Sequence, residues 1–194
     1  MGLKRNTLRA IYKSFEYADK IIWLQDDMEF SKDLLEFMDF TLNEYESDEE
    51  IMYVSGYTSV LHHSLYLSSY TSEALGIWKN KFYYTDVIDD TQGYRQFAGD
   101  MYYDYLLNAK KKDVISVYLN YSMYKKQGYC LHPNKNKLRH LVTDSVNCKA
   151  SDIKKLNQNL YEGFSRRIDS GNLNLVRRYS LLKKTTRWIS RILN

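Results

Sequence analysis

Two adjacent carboxylates, Asp26 and Asp27, follow Gln25 directly after the apolar run at residues 21–24. The run is rich in β-forming residues and predicts a buried strand. Neighbouring carboxylates repel each other unless a cation or hydrogen-bond donors lie beside them. Open α/β sheets bind ligands at the carboxyl ends of their strands. We therefore predict a cation-binding corner at this strand end; the simpler alternative is an ordinary turn, which Asp also favours.

A helix over residues 4–17 is predicted to lead into this strand. Its apolar side chains recur at the spacing of one helical face, namely Leu8, Ile11, Tyr12 and Phe15. A helix that runs straight into a buried strand is half of a βαβ unit. We expect the strand that would precede the helix to be missing, because the chain begins at Met1.

Beyond the carboxylates, the pattern predicts another helix and another strand. Ser31 is a candidate N-cap with Asp33 in the first turn. The predicted apolar face of this helix consists of Leu34, Leu35, Met38 and Leu42. Residues 51–56 predict a strand that stops at a glycine, and we expect loops over residues 57–73 and 134–148.

Two helices are predicted in the next part of the chain. One covers residues 94–111, and the other begins near Asp113 and ends at Gly128 as its C′ residue. A short strand over residues 129–131 follows. Helices and strands in this order predict an α/β fold.

Composition and charge limit the class of protein to which the chain can belong. The 194 residues include 44% hydrophobic residues and a single Pro, which is typical of an ordered globular domain. Cys130 and Cys148 are too few for a disulfide scaffold and indicate a reducing cytoplasm. Residues 151–194 carry ten Lys/Arg and three Asp/Glu, a net charge of +7. Residues 1–150 carry 18 Lys/Arg and 21 Asp/Glu, a net charge of −3.

The basic tail ends in a predicted amphipathic helix over residues 180–194. Such a helix binds peripherally to an anionic membrane, here the inner face of the cell membrane, or it packs its apolar side on the body of the protein. The tail contains no recognisable nucleic-acid-binding module, and its charge is modest, so we expect no nucleic-acid partner.

The order of these segments resembles bacterial glycosyltransferases of the GT-A type that carry a Leu-Glu-Asp-Asp signature, a group distantly similar to the N-acetylglucosaminyltransferase I family. Leu24-Gln25-Asp26-Asp27 matches the signature, with Gln in place of Glu. The following helix and strand of the family match Asp33-Leu34-Leu35-Glu36-Phe37-Met38 and Val54-Ser55-Gly56-Tyr57. More diverged copies of its later segments are residues 75–82, 99–100, 113–115, 127–133 and 140–147.

The resemblance implies a partial GT-A, Rossmann-like mixed sheet flanked by helices and lacking the first βαβ units. Residues 1–150 would form the metal- and acceptor-binding portion of the domain, and residues 151–194 the basic helical tail. The implied activity is inverting, metal-dependent transfer of a sugar from a nucleotide-sugar donor to a cell-surface polysaccharide or lipid-linked acceptor.

The resemblance also implies roles for individual residues. Asp27 would bind Mn²⁺ or Mg²⁺, and Gln25 and Asp26 would face the ribose and phosphates of the donor. The family's catalytic base falls at Asp113, although Ile115 stands where the family has Trp, and Asp113 could be only a helix cap. The other candidate bases are Asp100 and, behind it, Asp89 and Asp90. The candidates for stacking on a sugar ring, which could equally be core residues, are Tyr57, Trp78 and Phe82.

Two functions from different classes remain open on this sequence. One is a glycosyltransferase portion that is a fragment, has a misassigned start, or needs a partner to supply the missing half of the sheet. The other is a non-catalytic remnant or accessory module that associates with a membrane or with another transferase.

Overall fold

The protein forms a mixed α/β structure. The computed structural model describes residues 2–58, 66–68, 74–98, 102, 115–141 and 174–175. The helices are α1 Leu3–Ser14, α2 Leu34–Glu44, α3 Thr91–Ala98 and α4 Ile115–Lys126. The strands are β1 Lys20–Leu24, β2 Met28–Phe30, β3 Ile51–Ser55, β4 Tyr66–Ser68, β5 Ala74–Trp78, β6 Tyr129–His132, β7 Leu138–His140 and β8 Asn174–Leu175.

The main sheet is mixed and has the strand order β1-β5-β3-β6-β4-β8. β5 runs antiparallel to both β1 and β3, whereas β3 and β6 are parallel. A second, two-stranded sheet pairs β2 with β7 in antiparallel fashion. The mixed sheet flanked by helices confirms the α/β prediction.

Helices cover both faces of the main sheet. On one face, apolar residues of α2 pack against β3 and β6, and this core includes Phe37, Met38, Val54 and Leu131. On the other face, residues of α1 and α4 meet the same sheet, and this core includes Ile11, Leu119, Tyr53 and Cys130. The central strands β3 and β5 are consequently buried along their whole length.

Strand direction determines which loops meet. Because β5 is antiparallel to both β1 and β3, and β3 is parallel to β6, the strands β1, β3 and β6 all point the same way. Their carboxyl ends lie at one edge of the main sheet, which we call the carboxyl edge. Asp27 follows the end of β1 at this edge, and the small β2–β7 sheet lies beside it through the apolar contacts of Met28 and Leu138 with Tyr57 and Ala74.

The prediction that residues 21–24 form a strand is confirmed, but the prediction that this strand is buried is wrong. β1 is the terminal strand of the sheet among the described residues, with only β5 paired to it. Its first four residues are half-buried, and Leu24 is 36% exposed. Four consecutive apolar residues indicate burial on both faces, but the number of neighbouring strands determines how much burial is achieved.

The prediction for α2 was correct in type and wrong in detail. The helix begins at Leu34 rather than after Ser31, and Asp33 occupies the N-cap without a side-chain capping bond. Leu35, predicted on the apolar face, is 61% exposed, whereas Phe37 is buried. Leu34, Met38 and Leu42 are buried as predicted, and the rest of the buried face is formed by Phe37 and Thr41 instead of Leu35.

Two short strands lie inside segments predicted as loops. β4 falls within residues 57–73, and β7 falls within residues 134–148. Each has three residues, which is too short for a hydrophobic period to be read in the sequence. Their pairing with β6 and β2 comes from tertiary contacts that lie far apart in the chain.

Gly128 is needed for close packing rather than for its backbone angle. The left-handed residue after α4 is Gln127, with φ of 55°, which corrects the prediction that Gly128 ends the helix as its left-handed residue. A Cβ on Gly128 would lie 2.5 Å from Cγ and 2.6 Å from Sδ of Met52, a buried residue of β3. The chain after α4 therefore passes against the sheet at a distance that only a glycine allows.

We expect Gly128→Ala to lower the free energy of unfolding by about 1–3 kcal/mol, because Met52 must leave its packed position. Chemical denaturation measures the change. Gly2→Ala is the matched control, since a Cβ there meets nothing within 4 Å. Gly2 is the N-cap of α1, so the change should cost only the ~0.5–1 kcal/mol of a weaker cap. Equal stability of the two variants would contradict the packing argument.

Several predictions concern residues outside the described part of the chain. The helix predicted over residues 94–111 is described only as α3 up to Ala98, and the predicted tail helix over residues 180–194 is not described. Within the described ranges, no helix is both long enough and apolar enough to cross a membrane.

Candidate functional site

Asp27 carries a buried polar atom at the carboxyl edge that has no hydrogen-bond partner among the described residues. It lies in the turn between β1 and β2, and its carbonyl accepts a hydrogen bond of 3.0 Å from the backbone N–H of Leu141. Its side-chain Oδ1 is buried and has no hydrogen-bond partner in the described part of the chain. A carboxylate oxygen buried without a donor is costly, so this atom is suited to receive a cation or a donor from a ligand.

The two residues before Asp27 extend the same turn toward solvent. Gln25 is half-buried and Asp26 is exposed. The sequence prediction placed all three in one polar corner, and the structure does bring them together there. Only Asp27 combines a buried carboxylate oxygen with a missing partner.

Backbone hydrogen bonds connect the β2–β7 sheet to the rest of the carboxyl edge. The N–H of Ser31 donates to the carbonyl of Lys137 at 2.8 Å, and the N–H of Lys137 donates to the carbonyl of Gly56 at 3.0 Å. Gly56 directly follows β3, and its N–H donates to Ala74 of β5 at 2.9 Å. The turn that carries Asp27 is therefore tied to two central strands.

A buried ion pair reinforces these backbone contacts. Lys137 Nζ lies 2.5 Å from Oδ2 of Asp33, and the two side chains are 3% and 4% exposed. The hydroxyl of Ser31 donates to Oδ1 of the same carboxylate at 2.7 Å. The pair joins the start of α2 to the segment that leads into β7.

A second polar group lies at the ends of β3 and β6. The ring Nδ1 of His132 lies 2.8 Å from the carbonyl oxygen of Tyr57, and the side-chain Oδ1 of Asn136 accepts a hydrogen bond of 3.4 Å from the N–H of Thr58. Asn136 is 1% exposed, and its Nδ2 finds no hydrogen-bond partner within the described residues. The carboxyl edge thus contains an unpaired buried donor as well as the unpaired acceptor of Asp27.

The three aromatic residues predicted to stack on a sugar are placed differently from one another. Tyr57 lies at the carboxyl edge but is 7% exposed, in apolar contact with neighbouring core residues. Trp78 is 0% exposed and pairs with Lys20, at the opposite end of β1 from Asp27. Phe82 is half-buried and packs on Phe15 of α1 at a ring-centroid distance of 5.6 Å. Only Tyr57 is brought near Asp27.

The candidate bases fall into two groups. Asp113 and Asp100 lie outside the described residues, so their roles stay predictions. Asp89 accepts hydrogen bonds from the Tyr121 hydroxyl and from Lys125, and the Tyr121 bond lowers the pKa of its carboxyl.

Asp90 is held in a similar way. It accepts hydrogen bonds from the Tyr124 hydroxyl and from the N–H of Gly93 at 2.9 Å. The Tyr124 bond lowers the pKa of Asp90 and raises the pKa of Tyr124 to about 12. A carboxylate that is stabilised in its charged form is a weak base, so these contacts suit an anchor of the α3 start on α4.

One oxygen atom of the corner, Oδ1 of Asp27, is of the type that hard divalent cations prefer. Across residues 2–58 and the other described ranges, no group of three or more His, Cys, Asp or Glu side chains could hold a metal ion. Mg²⁺ and Mn²⁺ sites in nucleotide-dependent enzymes need fewer protein ligands, because water and phosphate oxygens complete the coordination. One buried, unpaired carboxylate oxygen on Asp27 meets this requirement.

Sequence reasoning missed several residues at the carboxyl edge. Glu29 and Arg139 face each other across β2 and β7, and Lys137 contacts Asp33 in the interior. The one available signal was the alternation of Leu138, Arg139 and His140, which is too short to indicate a strand.

No known protein-family model matches the chain, and no curated protein matches it in sequence.

Proposed function

We propose that this chain is the metal- and acceptor-binding portion of an inverting GT-A glycosyltransferase. It would transfer a sugar from a nucleotide-sugar to a cell-surface polysaccharide or lipid-linked acceptor. The observation that carries the proposal is the buried, unpaired Oδ1 of Asp27 in the turn after β1. The resemblance of residues 24–27 and of the segments after them to the Leu-Glu-Asp-Asp group supports it.

In this proposal, Asp27 holds Mn²⁺ or Mg²⁺, while Gln25 and Asp26 bind the ribose and phosphates of the donor. The cation, when bound, neutralises charge on the diphosphate leaving group. The backbone bonds from Leu141 to Asp27 and from Lys137 to Gly56 hold the backbone of the turn, which limits the positions open to the Asp27 carboxylate before the donor binds.

The acceptor hydroxyl needs a base in an inverting reaction. Asp113 is the proposed base, with Asp100 as the other candidate. Asp89 and Asp90 are less suitable, because hydrogen bonds from Tyr121 and Tyr124 lower their carboxyl pKa values. They also contact the last turns of α4, which leads into β6 from the edge of the sheet opposite Asp27.

Asp27→Asn tests the proposal by binding. We expect wild-type protein to bind UDP in isothermal titration calorimetry with Mn²⁺ present and not with EDTA. Asp27→Asn should weaken the Mn²⁺-dependent affinity by about 10–100-fold, as loss of a metal-site group does. GDP in place of UDP tests the choice of nucleotide.

Asp19→Asn is the matched control for this experiment. Asp19 also flanks β1 but at its other end, where its side chain is 87% exposed and 3.6 Å from Lys79. It should bind UDP with wild-type affinity. If wild-type protein binds neither nucleotide in a Mn²⁺-dependent way, the transferase proposal is contradicted and the accessory-module alternative is favoured.

A further inference from the structure

The β2–β7 sheet presents a charged pair on its exposed face. Glu29 and Arg139 are directly opposite in the antiparallel register, and Nε of Arg139 donates to Oε2 of Glu29 at 2.6 Å. The two side chains are 38% and 44% exposed. This bond fixes the guanidinium plane, while the terminal Nη groups have no partner among the residues the structure describes.

The register of the sheet places this pair next to Asp27. Met28 pairs with His140, so the next pair toward the turn is Asp27 with Leu141, whose N–H donates to the Asp27 carbonyl. Asp27 lies in the turn rather than in β2, but the Leu141 bond extends the antiparallel ladder to it by one pair, which places Asp27 on the same face as Glu29, two residues along. Asp27 and Arg139 are then diagonal neighbours, with backbones about 7–8 Å apart, a separation that a long side chain spans.

We propose that Arg139, oriented by Glu29, binds the diphosphate of the nucleotide-sugar on the same face as Asp27, the residue that would hold the cation. This inference rests on the proposed function and adds the contact that recognises the anion. The planar guanidinium carries several N–H donors in a fixed geometry that matches phosphate oxygens. Because Glu29 is bound by Nε, the Nη atoms can donate to the phosphate. The carboxylate of Asp27 cannot bind a diphosphate directly, so a cation and an arginine on the same face are complementary.

The alternative is an ordinary cross-strand ion pair that only supports the sheet. Exposed pairs of this kind contribute little to stability, so substitutions of Arg139 should leave the protein folded. Nucleotide affinity and thermal stability therefore distinguish the two roles. If Arg139 contacts the ligand, its substitution weakens nucleotide binding. If it only supports the sheet, nucleotide affinity stays unchanged.

The experiment compares Arg139→Met, Arg139→Lys, Asp27→Asn and Arg9→Met with the wild-type protein by calorimetry. The two probes are UDP and inorganic pyrophosphate, each titrated with Mn²⁺ and with EDTA. Arg9 is an exposed residue of α1 and serves as the matched control. We expect Arg139→Met to weaken binding of both probes at least tenfold, with Tm unchanged. Arg139→Lys should recover part of the loss, since it keeps the charge and lacks the fork.

The outcomes distinguish this inference from the proposed function. If Asp27→Asn loses UDP binding and Arg139→Met keeps it, the Arg139 contact is overturned and the metal site stands. If wild-type protein binds pyrophosphate through Arg139 without needing Mn²⁺ or Asp27, the anion contact stands and the transferase proposal fails. If wild-type protein binds neither probe, both are overturned.

Discussion

Lys137→Met is expected to destabilise the protein by about 3–5 kcal/mol, because it leaves the Asp33 carboxylate buried without its cation. In the wild-type protein both side chains of the pair are at most 4% exposed. The Ser31 hydroxyl still donates to the carboxylate in the variant, but a neutral donor does not replace an ammonium group. A loss of this size is a large share of the ~5–15 kcal/mol that stabilises an ordinary domain. Urea denaturation at pH 7 measures it.

The double variant Asp33→Asn/Lys137→Met separates the charge effect from loss of the lysine side chain. It removes both charges and keeps an acceptor for Ser31. We expect it to recover more than half of the stability lost in Lys137→Met, because the stability effects of substituting two residues in direct contact do not add. The Asp33→Asn single variant completes the comparison. If the loss of stability in the double variant equals the sum of the losses in Asp33→Asn and Lys137→Met, the two side chains do not stabilise each other.

The sequence was sufficient to predict the elements with an extended apolar pattern, either a helical repeat or an unbroken run. α1 and β3 are close to their predicted bounds. The apolar residues of α1 recur at helical spacing, and those of β3 follow one another in a run of four. The sequence was insufficient for burial of β1, whose residues Ile21, Ile22 and Trp23 are as apolar as those of a central strand. Their half-buried state follows from having one paired strand instead of two, which is a property of the topology.

The candidate site was predictable only where its residues are neighbours in sequence. Asp27 could be identified because it directly follows a strand. Arg139 lies 110 residues from Glu29, and Lys137 lies 104 residues from Asp33. Both contacts depend on the pairing of β2 with β7, in a segment whose polar composition indicates a loop. A buried lysine in such a segment is recognisable only once its carboxylate partner has been located.

Trp78→Ala is expected to cost about 3–5 kcal/mol of stability, since it removes the largest side chain of the core on the α2 face. Trp78 is 0% exposed, and its indole N–H donates to the carbonyl of Leu42 at 2.9 Å. Lys81 Nζ lies 4.0 Å from the centre of the ring and also donates to three backbone carbonyls between the end of α2 and the start of β3. The variant therefore loses apolar burial, a hydrogen bond and the support of Lys81 together. Urea denaturation measures the sum.

Trp78→Phe distinguishes this core role from the predicted sugar-stacking role. The variant keeps an aromatic ring and loses the Leu42 bond, so it should cost roughly 1–3 kcal/mol and remain folded. Trp78 pairs with Lys20, and the length of β1 alone puts it about 13 Å from the turn that carries Asp27, at 3.3 Å per residue. If the proposed function holds, the folded variant should bind UDP and UDP-N-acetylglucosamine with the same affinity ratio as the wild-type protein. A ratio shifted by more than about threefold, in a variant shown to be folded, would restore Trp78 as a sugar contact, since such a shift is about 0.7 kcal/mol of differential binding.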